Sequence, residues 1–422
     1  MKILLLIGQF PPDGCGGAEM QCWRQAKALA ARGHQVTVLT RWQAPGSPRW
    51  ETRAGVRIGR LGFYLPWMAK KRRFMQNLRR AWGAPEMGNR GPDGTGPWPP
   101  PERPLRSPRW RAFTVWLANT SFILDIIWLF ALCRLHADVI HVHMAGWLAG
   151  FGQWLAERMH VPVFCKEAIF PILQPRDEAH VRVAGLSAWQ VRRVKCRYIA
   201  LTDAIGTALA ATGVPPQRIA QIPNGVELPG ELADPGRHAE AIYIGNFTQG
   251  DAHKGFNVLF KAWGRAIQTE PGMRLHLYGA GNTGEWEAFA RAQGCGNSVV
   301  FKGPAGDVWA AHRQAGFLVL PSRREGMSNA LLEAMASGLP AVVSDIPGNA
   351  AVVRNGVDGL VVPVDDADAL AVAMLTLRRS SELRTRMGRA ARERAQKEFS
   401  METVVARLEQ AYALAIAEDA AR

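Results

Sequence analysis

Two carboxylates, Glu325 and Glu333, stand eight positions apart within residues 317–347, and their types and spacing could do chemistry. Carboxylate oxygens accept hydrogen bonds from sugar hydroxyls. Ser328, between them, is typical of a helix N-cap, and the free N–H groups of a helix start bind phosphate. Hydroxyl acceptors on both sides of a phosphate site suit a sugar nucleotide. The alternative is that Glu325 only favours the helix dipole and Glu333 lies on a solvated helix face.

The elements around these carboxylates would hold them at the edge of a sheet. The apolar run 317–320 predicts a buried strand of a parallel sheet, because it is short and does not alternate. Residues 329–336 have helical spacing, which ends at Ser337-Gly338, and Ala341 opens the next strand. This order puts the helix start at the carboxyl ends of the strands, where open α/β sheets bind ligands.

The segment Glu325-Gly-Met-Ser-Asn-Ala-Leu-Leu-Glu333-Ala-Met-Ala-Ser-Gly-Leu-Pro340 closely resembles the Glu-x7-Glu signature of glycosyltransferase family 4, retaining enzymes of the GT-B fold. Its form is similar to that of cell-surface polysaccharide glycosyltransferases, and the likeness continues through 345–348 and 355–360. The resemblance implies that Glu325 contacts the transferred sugar and that Glu333 holds the ribose. The donor-binding residues that it implies beside them are Gly326, Met327, Ser328, Asn329 and Ala330.

The same resemblance assigns residues in the N-terminal half. Gly16-Gly17-Ala18-Glu19 is similar to a family loop beside the donor phosphates and the acceptor, although a plain strand-to-helix turn also needs glycine. Residues 138–143 resemble a strand whose last histidine approaches the donor sugar, which implies a catalytic role for His143 and a core position for His141. Residues 167–175 depart from the Thr-x-His-Gly form of relatives, and we expect them to tune the acceptor.

A two-point clamp on the donor diphosphate is incomplete in this sequence. Relatives carry an arginine and a lysine, and Lys254 matches the lysine, which implies a catalytic and donor-binding role. Asn246 stands in the donor site where the arginine is usual, and its side chain donates a hydrogen bond but carries no charge. Arg323 and Arg324 are candidates for the missing charge.

The repeated strand–helix–strand order and the resemblance together predict an α/β fold of two Rossmann-like domains facing across a cleft. We expect an acceptor-side domain at 1–225, a nucleotide-sugar donor domain at 226–400 and a helix crossing back at 401–422. Residues 83–108 predict a flexible insert, because 13 of the 26 are Gly or Pro. The apolar stretch 112–133 is interrupted by polar residues, which favours a buried helix over a membrane span.

The positive charge of the chain is concentrated at one end. The net charge is +15, and residues 1–230 hold 30 basic against 14 acidic residues. Residues 63–82 interleave aromatic residues with a basic cluster, which suits a peripheral helix on an anionic membrane. The alternative is a solvated helix packed by its Trp and Phe residues. No zinc, helix-turn-helix or RNA-binding motif supports nucleic acid as a partner.

Six cysteines without a paired spacing indicate a reducing compartment, so we expect a cytoplasmic protein, with attachment to the inner face of the cell membrane left open. The expected reaction is retaining transfer of a hexosyl unit from a nucleotide diphosphate sugar to a hydroxyl of a glycan or lipid-linked acceptor. No cofactor and no metal are expected, because no Asp-x-Asp motif appears where GT-A enzymes bind a divalent metal. The alternatives are a sugar-nucleotide 2-epimerase and a non-catalytic membrane-associated sugar-nucleotide binder.

Overall fold

The computed structural model describes residues 1–11, 16–41, 47–62, 120, 122–131, 135–143, 146–167, 182–183, 186–187, 195–247 and 252–421. The expected insert at 83–108 and the basic segment at 63–82 lie outside these residues, as does most of the acceptor-tuning segment at 167–175.

An eight-stranded sheet forms the N-terminal domain, in the order β10-β9-β6-β5-β1-β2-β4-β3. Every pairing in it is parallel except the hairpin of β3 and β4. Its strands are β1 (Lys2–Ile7), β2 (Gln35–Arg41), β3 (Trp50–Arg53), β4 (Val56–Leu61), β5 (Val139–His143), β6 (Val163–Glu167), β9 (Arg197–Ala200) and β10 (Ile219–Gln221). A separate two-stranded ribbon consists of β7 (Arg182–Val183) and β8 (Leu186–Ser187).

A six-stranded, fully parallel sheet forms the C-terminal domain, in the order β13-β12-β11-β14-β15-β16. Its strands are β11 (Ala241–Ile244), β12 (Leu275–Tyr278), β13 (Val299–Gly303), β14 (Phe317–Leu320), β15 (Ala341–Ser344) and β16 (Gly359–Val362). The central strands β14 and β15 are buried along their whole length, as expected for strands covered on both faces.

Helices connect the strands in both domains. They are α1 (Gly17–Ala31), α2 (Gly146–Met159), α3 (Asp203–Ala211), α4 (Phe256–Thr269), α5 (Gly284–Ala292), α6 (Val308–Arg313), α7 (Asn329–Ala336), α8 (Pro347–Ala350), α9 (Ala367–Arg379), α10 (Ser381–Arg394) and α11 (Met401–Ala420). A short π-helix, Ala395–Phe399, precedes α11. Two parallel sheets with helical connections confirm the predicted α/β fold of two Rossmann-like domains.

The last helix, α11, returns to the N-terminal domain, as predicted. Its buried positions Val404, Leu408 and Tyr412 share one helix face and pack in the same core cluster as α1 and β1. At its middle, Glu409 accepts hydrogen bonds from Arg32 at 2.8 Å and pairs with His34 at 2.7 Å. The chain therefore ends on the domain in which it begins.

Within the stretch 112–133, for which a buried helix is expected, the described residues 122–131 form a helix that is buried on one side only. Phe122 and Ile126 are covered, whereas Leu124 and Trp128 are 57% and 60% exposed. The difference follows from the helical period, which turns one side of an apolar run toward the core and the other away. Among the described residues, no helix combines the length and the apolar character needed to cross a membrane.

A buried histidine supports α7 from behind. The His312 ring, on α6, is fully buried, and its Nδ1 lies 2.9 Å from the Ser337 hydroxyl at the end of α7. That hydroxyl in turn donates to the backbone carbonyl of Glu333 at 3.0 Å. Burial lowers the pKa of His312 to about 3. The neutral ring is therefore part of what holds the helix that carries Glu333.

The first prediction is a loss of stability in mild acid that depends on His312. The unfolded chain takes up this proton near pH 6.5, whereas the folded chain resists it down to about pH 3, so stability falls as the pH drops through this window. At pH 5 this lowers the free energy of unfolding by about 2 kcal/mol.

Urea unfolding at pH 7 and pH 5 measures this effect in the wild type and in His312→Asn, which keeps a polar contact for Ser337. The variant should lose less stability between the two pH values, because it lacks the ring whose pKa is lowered in the folded state. His141 and His143, whose pKa values burial also lowers, are present in both proteins. An equal decrease in the free energy of unfolding from pH 7 to pH 5 in both proteins would contradict the prediction.

Candidate functional site

Lys254 and Glu325, predicted separately from the sequence, form an ion pair. Lys254 Nζ donates to Glu325 Oε1 at 2.8 Å, and the Ser322 hydroxyl donates to the same oxygen at 3.1 Å. Both charged side chains are largely covered, at 21% and 15% exposure. The segment after β11 thus places the cation of Lys254 beside the Glu325 carboxylate in the loop after β14; a cation suits an anion, and a carboxylate accepts from sugar hydroxyls.

Two glycines allow the backbone segments that carry Lys254 and Glu325 to lie close together. Gly255, directly after Lys254, has φ +71°, and a Cβ atom there would lie 2.0 Å from the carbonyl oxygen of Pro321. Gly348 faces the other side of the loop, where a Cβ atom would lie 2.3 Å from the carbonyl oxygen of Glu325. Only glycine fits such contacts, so these two positions fix the backbone that presents Lys254 and Glu325.

The start of α7 keeps its backbone donors available. Ser328 has the extended backbone of an N-cap residue, as predicted, but its side chain makes no capping hydrogen bond. The first N–H groups of a helix have no partner within the helix, so without a side-chain cap they can donate to an anion. Gly326, Met327 and Ser328 are buried, and Asn329 and Ala330 are partly exposed at this helix start.

Asn329 joins this helix start to the N-terminal domain. Its Nδ2 donates to the Gly17 carbonyl oxygen at 2.9 Å, and its Oδ1 accepts from Gln21 Nε2 at 2.9 Å. Gln21 also donates to the Gly225 carbonyl oxygen at 2.8 Å, and Asn224 Nδ2 donates to the Met327 carbonyl oxygen at 3.2 Å. The starts of α1 and α7 therefore face each other, which brings the predicted Gly16-Gly17 loop to the donor-side helix.

Glu333 is held from the opposite domain by Arg24, which sequence reasoning missed. Arg24 Nη2 donates to Glu333 Oε1 at 2.5 Å, and the two side chains are only 13% and 10% exposed. Arg24 Nη1 is buried and has no hydrogen-bond partner among the described residues. The only sequence signal was a basic residue on α1, and its meaning depends on how the two domains meet.

His143 is the last residue of β5, the strand that pairs with β1. It is 1% exposed, and its Nε2 has no hydrogen-bond partner in the part of the chain that is described. His141 stacks on it at 4.2 Å between ring centroids and contacts the Tyr412 hydroxyl through Nδ1 at 2.6 Å. Burial lowers the pKa of both histidines well below the usual range. His143 is thus a neutral ring, fixed through His141 by the crossover helix.

Asn246 is used to stabilise a turn. Its Oδ1 accepts from the Ala280 N–H at 3.2 Å, which ties the end of β11 to the loop after β12. Arg323, a candidate for the missing charge, is bound to Asp365 at 2.6 Å and to Asn257 at 2.9 Å. Arg324 is exposed. Among the described residues, no group of three or more His, Cys, Asp or Glu side chains is arranged for a metal ion.

Two family models match most of the chain. Residues 16–225 match the "Glycosyl transferase 4-like domain", and residues 238–380 match "Glycosyl transferases group 1". The two matches meet close to Asn224 and Gly225, which contact the start of α7 in the structure.

Curated relatives agree with these matches. A D-inositol 3-phosphate glycosyltransferase of Actinosynnema mirum is 30% identical over 56% of this chain and 63% of that protein, less than two thirds of its length. One from Geodermatophilus obscurus is 30% identical over 68% of each. A glycogen synthase of Mycobacterium tuberculosis is 26% identical over 98% of this chain and 94% of that one.

Solved structures share the architecture. Sucrose-phosphate synthase from Thermosynechococcus elongatus superposes with a TM-score of 0.74 at 21% identity over 99% of both chains. Anabaena Alr3699/HepE in complex with UDP-glucose gives a TM-score of 0.65 at 16% identity over 97% of this chain and 99% of that one. At these identities the likeness to solved structures shows the fold, and the two family models show the family. The chain is a member of the glycosyltransferase family in which a glycosyl transferase 4-like domain precedes a group 1 domain in a GT-B fold.

Proposed function

We propose that this glycosyltransferase moves a hexosyl unit from a nucleotide diphosphate sugar to a hydroxyl of a glycan or lipid-linked acceptor, with retention. The observation that carries the proposal is the Lys254–Glu325 pair beside the uncapped start of α7. A cation and free N–H groups suit a diphosphate, whereas the adjacent carboxylate suits sugar hydroxyls. The complexes of Alr3699/HepE with UDP and with UDP-glucose support this donor class.

Each part of the site then has a role in the transfer. Lys254 and the start of α7 stabilise the negative charge that develops on the diphosphate as its bond to the sugar breaks. Glu325 orients the transferred sugar, Glu333 holds the ribose, and His143 approaches the sugar from the facing domain. The leaving phosphate accepts the proton of the acceptor hydroxyl on the same face, so no side chain is assigned as general base.

Two alternatives start from the same donor site. A 2-epimerase would release an epimerised sugar nucleotide, and a non-catalytic binder would release nothing. Both matched family models describe glycosyl transferases, which favours transfer over epimerisation. Turnover with a cognate donor separates transfer from binding alone.

A donor screen tests the proposal. A cognate nucleotide sugar should raise the melting temperature by mass action, and the stabilised protein should then release nucleoside diphosphate in the presence of acceptor. Proton NMR of the product should show the anomeric configuration of the donor. Glu325→Gln should keep the stabilisation but lower turnover on the order of a hundredfold, as expected when a positioned contact is lost. An inverted product, or free epimerised nucleotide, would refute the proposal.

The neutral Asn246 predicts a large effect of Lys254. With asparagine where relatives have arginine, Lys254 carries more of the diphosphate charge, so Lys254→Ala should raise the barrier by roughly 3 kcal/mol or more. Asn246→Arg should not harm turnover and should restore part of the loss in the double variant, which a double-mutant cycle measures.

The matched control is Lys261→Ala, an exposed lysine on α4 of the same domain, which should have wild-type turnover. Because Lys254 also contacts Glu325, the pair Lys254→Ala and Glu325→Gln gives a second cycle that separates the charge from the contact. A mild loss in Lys254→Ala with a strong loss in Arg324→Ala would transfer the role to the loop before Glu325.

A further prediction concerns the membrane, on which the acceptor would lie if it is lipid-linked. We propose that the basic segment binds anionic lipid, so that neutralising Lys70, Lys71, Arg72 and Arg73 abolishes binding to anionic vesicles and spares activity on a soluble acceptor. Vesicle sedimentation measures the binding. The control variant neutralises four exposed basic residues elsewhere: Arg386, Arg389, Lys397 and Arg407. Equal binding of both variants to anionic vesicles would favour the alternative, in which the segment does not bind lipid.

A further inference from the structure

A buried lysine on the N-terminal domain has no role in the site described above. Lys166 lies one residue before the end of β6, where it is paired in register with His143 of β5. Its side chain is 3% exposed. Register partners in a parallel sheet project from the same face, so Lys166 and His143 extend toward the same helices, α1 and α11.

The ammonium group of Lys166 is without a counter-charge in the described part of the chain. Its Nζ has no hydrogen-bond partner there, and neither do the Nε2 atoms of His141 and His143. Among the described residues, Lys166 interacts with Cys22 on α1, which in turn interacts with Tyr412 on α11 and with Glu19. Burial raises the pKa of Cys22 and Tyr412, so both are neutral at pH 7. Burial also lowers the pKa of Lys166 to about 8. A buried cation without a counter-charge among the described residues costs roughly several kcal/mol, and buried groups perturbed in this way cluster at functional sites.

The position of Lys166 relates it to the cleft. The carboxyl ends of β5 and β6 lie at the same sheet edge as the end of β1, from which the chain runs to Gly17 at the start of α1. Gly17 contacts Asn329 at the start of α7. The nearest acid along α1, Glu19, is turned back toward Gly16, where its Oε2 lies 2.4 Å from the place of a Cβ atom. Lys166, which has no charged partner among the described residues, therefore lies at the sheet edge from which the chain leads to the start of α1.

We propose that Lys166, with the neutral His143 beside it, is a second anion-binding point that takes a phosphate or carboxylate oxygen of a ligand in the cleft. The inference rests on the proposed function, and it adds a group of stated charge to the side of the cleft opposite Lys254. Two ligands could supply such an oxygen: the diphosphate of the donor, and an acceptor that carries an anionic group beside its hydroxyl.

Calorimetric titration of Lys166→Met tests the proposal, with uridine diphosphate as the first probe and guanosine and adenosine diphosphates next. Inorganic phosphate is the second probe, titrated into both the free and the nucleotide-saturated protein. The control is Lys195→Met, an exposed lysine of the same domain. Because removing a buried charge relieves a cost, Lys166→Met should melt at a higher temperature than the wild type at pH 7. Lys166→Gln repeats the measurements if the Met variant does not fold.

The two arms distinguish the sources of the anion. A dissociation constant for the nucleoside diphosphate raised about tenfold or more, the scale of one hydrogen bond to a charged group, assigns Lys166 to the donor diphosphate. An unchanged nucleotide constant with phosphate binding lost by the same factor assigns it to an anionic acceptor. Unchanged binding of both probes, or phosphate binding absent from the wild type with nucleotide binding unchanged, overturns the proposal. If no nucleoside diphosphate binds the wild type, the proposed function fails, and the phosphate arm on the free protein still decides the role of Lys166.

Discussion

The site depends on one junction, in which the side-chain amide of Asn329 bonds the start of α7 to the start of α1. A primary amide both donates and accepts, so Asn329 satisfies the Gly17 carbonyl and the Gln21 amide at once, each at 2.9 Å. Gly17 is the close-contact point, since a Cβ atom there would lie 3.2 Å from Asn329 Nδ2. The two helix starts therefore face each other across the domains, which brings the Gly16-Gly17 loop next to the start of α7.

Two ion pairs lie near this junction, one within the C-terminal domain and one between the two domains. Lys254 neutralises Glu325 within the C-terminal domain, whereas Arg24 reaches Glu333 from the N-terminal domain. A ribose bound by Glu333 would share that carboxylate with Arg24, so the ligand and the domain contact draw on the same oxygen atoms. The Arg24–Glu333 pair is largely shielded from solvent, which makes the attraction between the two charges stronger than it would be in water.

The crossover helix serves more than the closure of the fold. Tyr412 places a hydroxyl 2.6 Å from His141, and His141 stacks on His143. The last helix therefore holds the stacked rings of His141 and His143 at the carboxyl end of β5. Removing α11 would uncover the core shared with α1 and release this stack, so the end of the chain is coupled to the site by packing rather than by sequence proximity.

The sequence by itself determined the fold class and the strand, loop, helix and strand around Glu325, because short apolar runs and helix stops act locally, and the resemblance to the family predicted the crossover helix. His143 lies at the end of a strand, as predicted, whereas the roles of Lys254 and of the Gly16-Gly17 loop stay predictions. Only the tertiary structure decided which groups meet: Arg24 with Glu333, Gln21 with Asn329, and Lys166 with His143. These pairs are separated by 23 to 309 positions and follow from strand register and from domain contact. Local patterns carry no information about either.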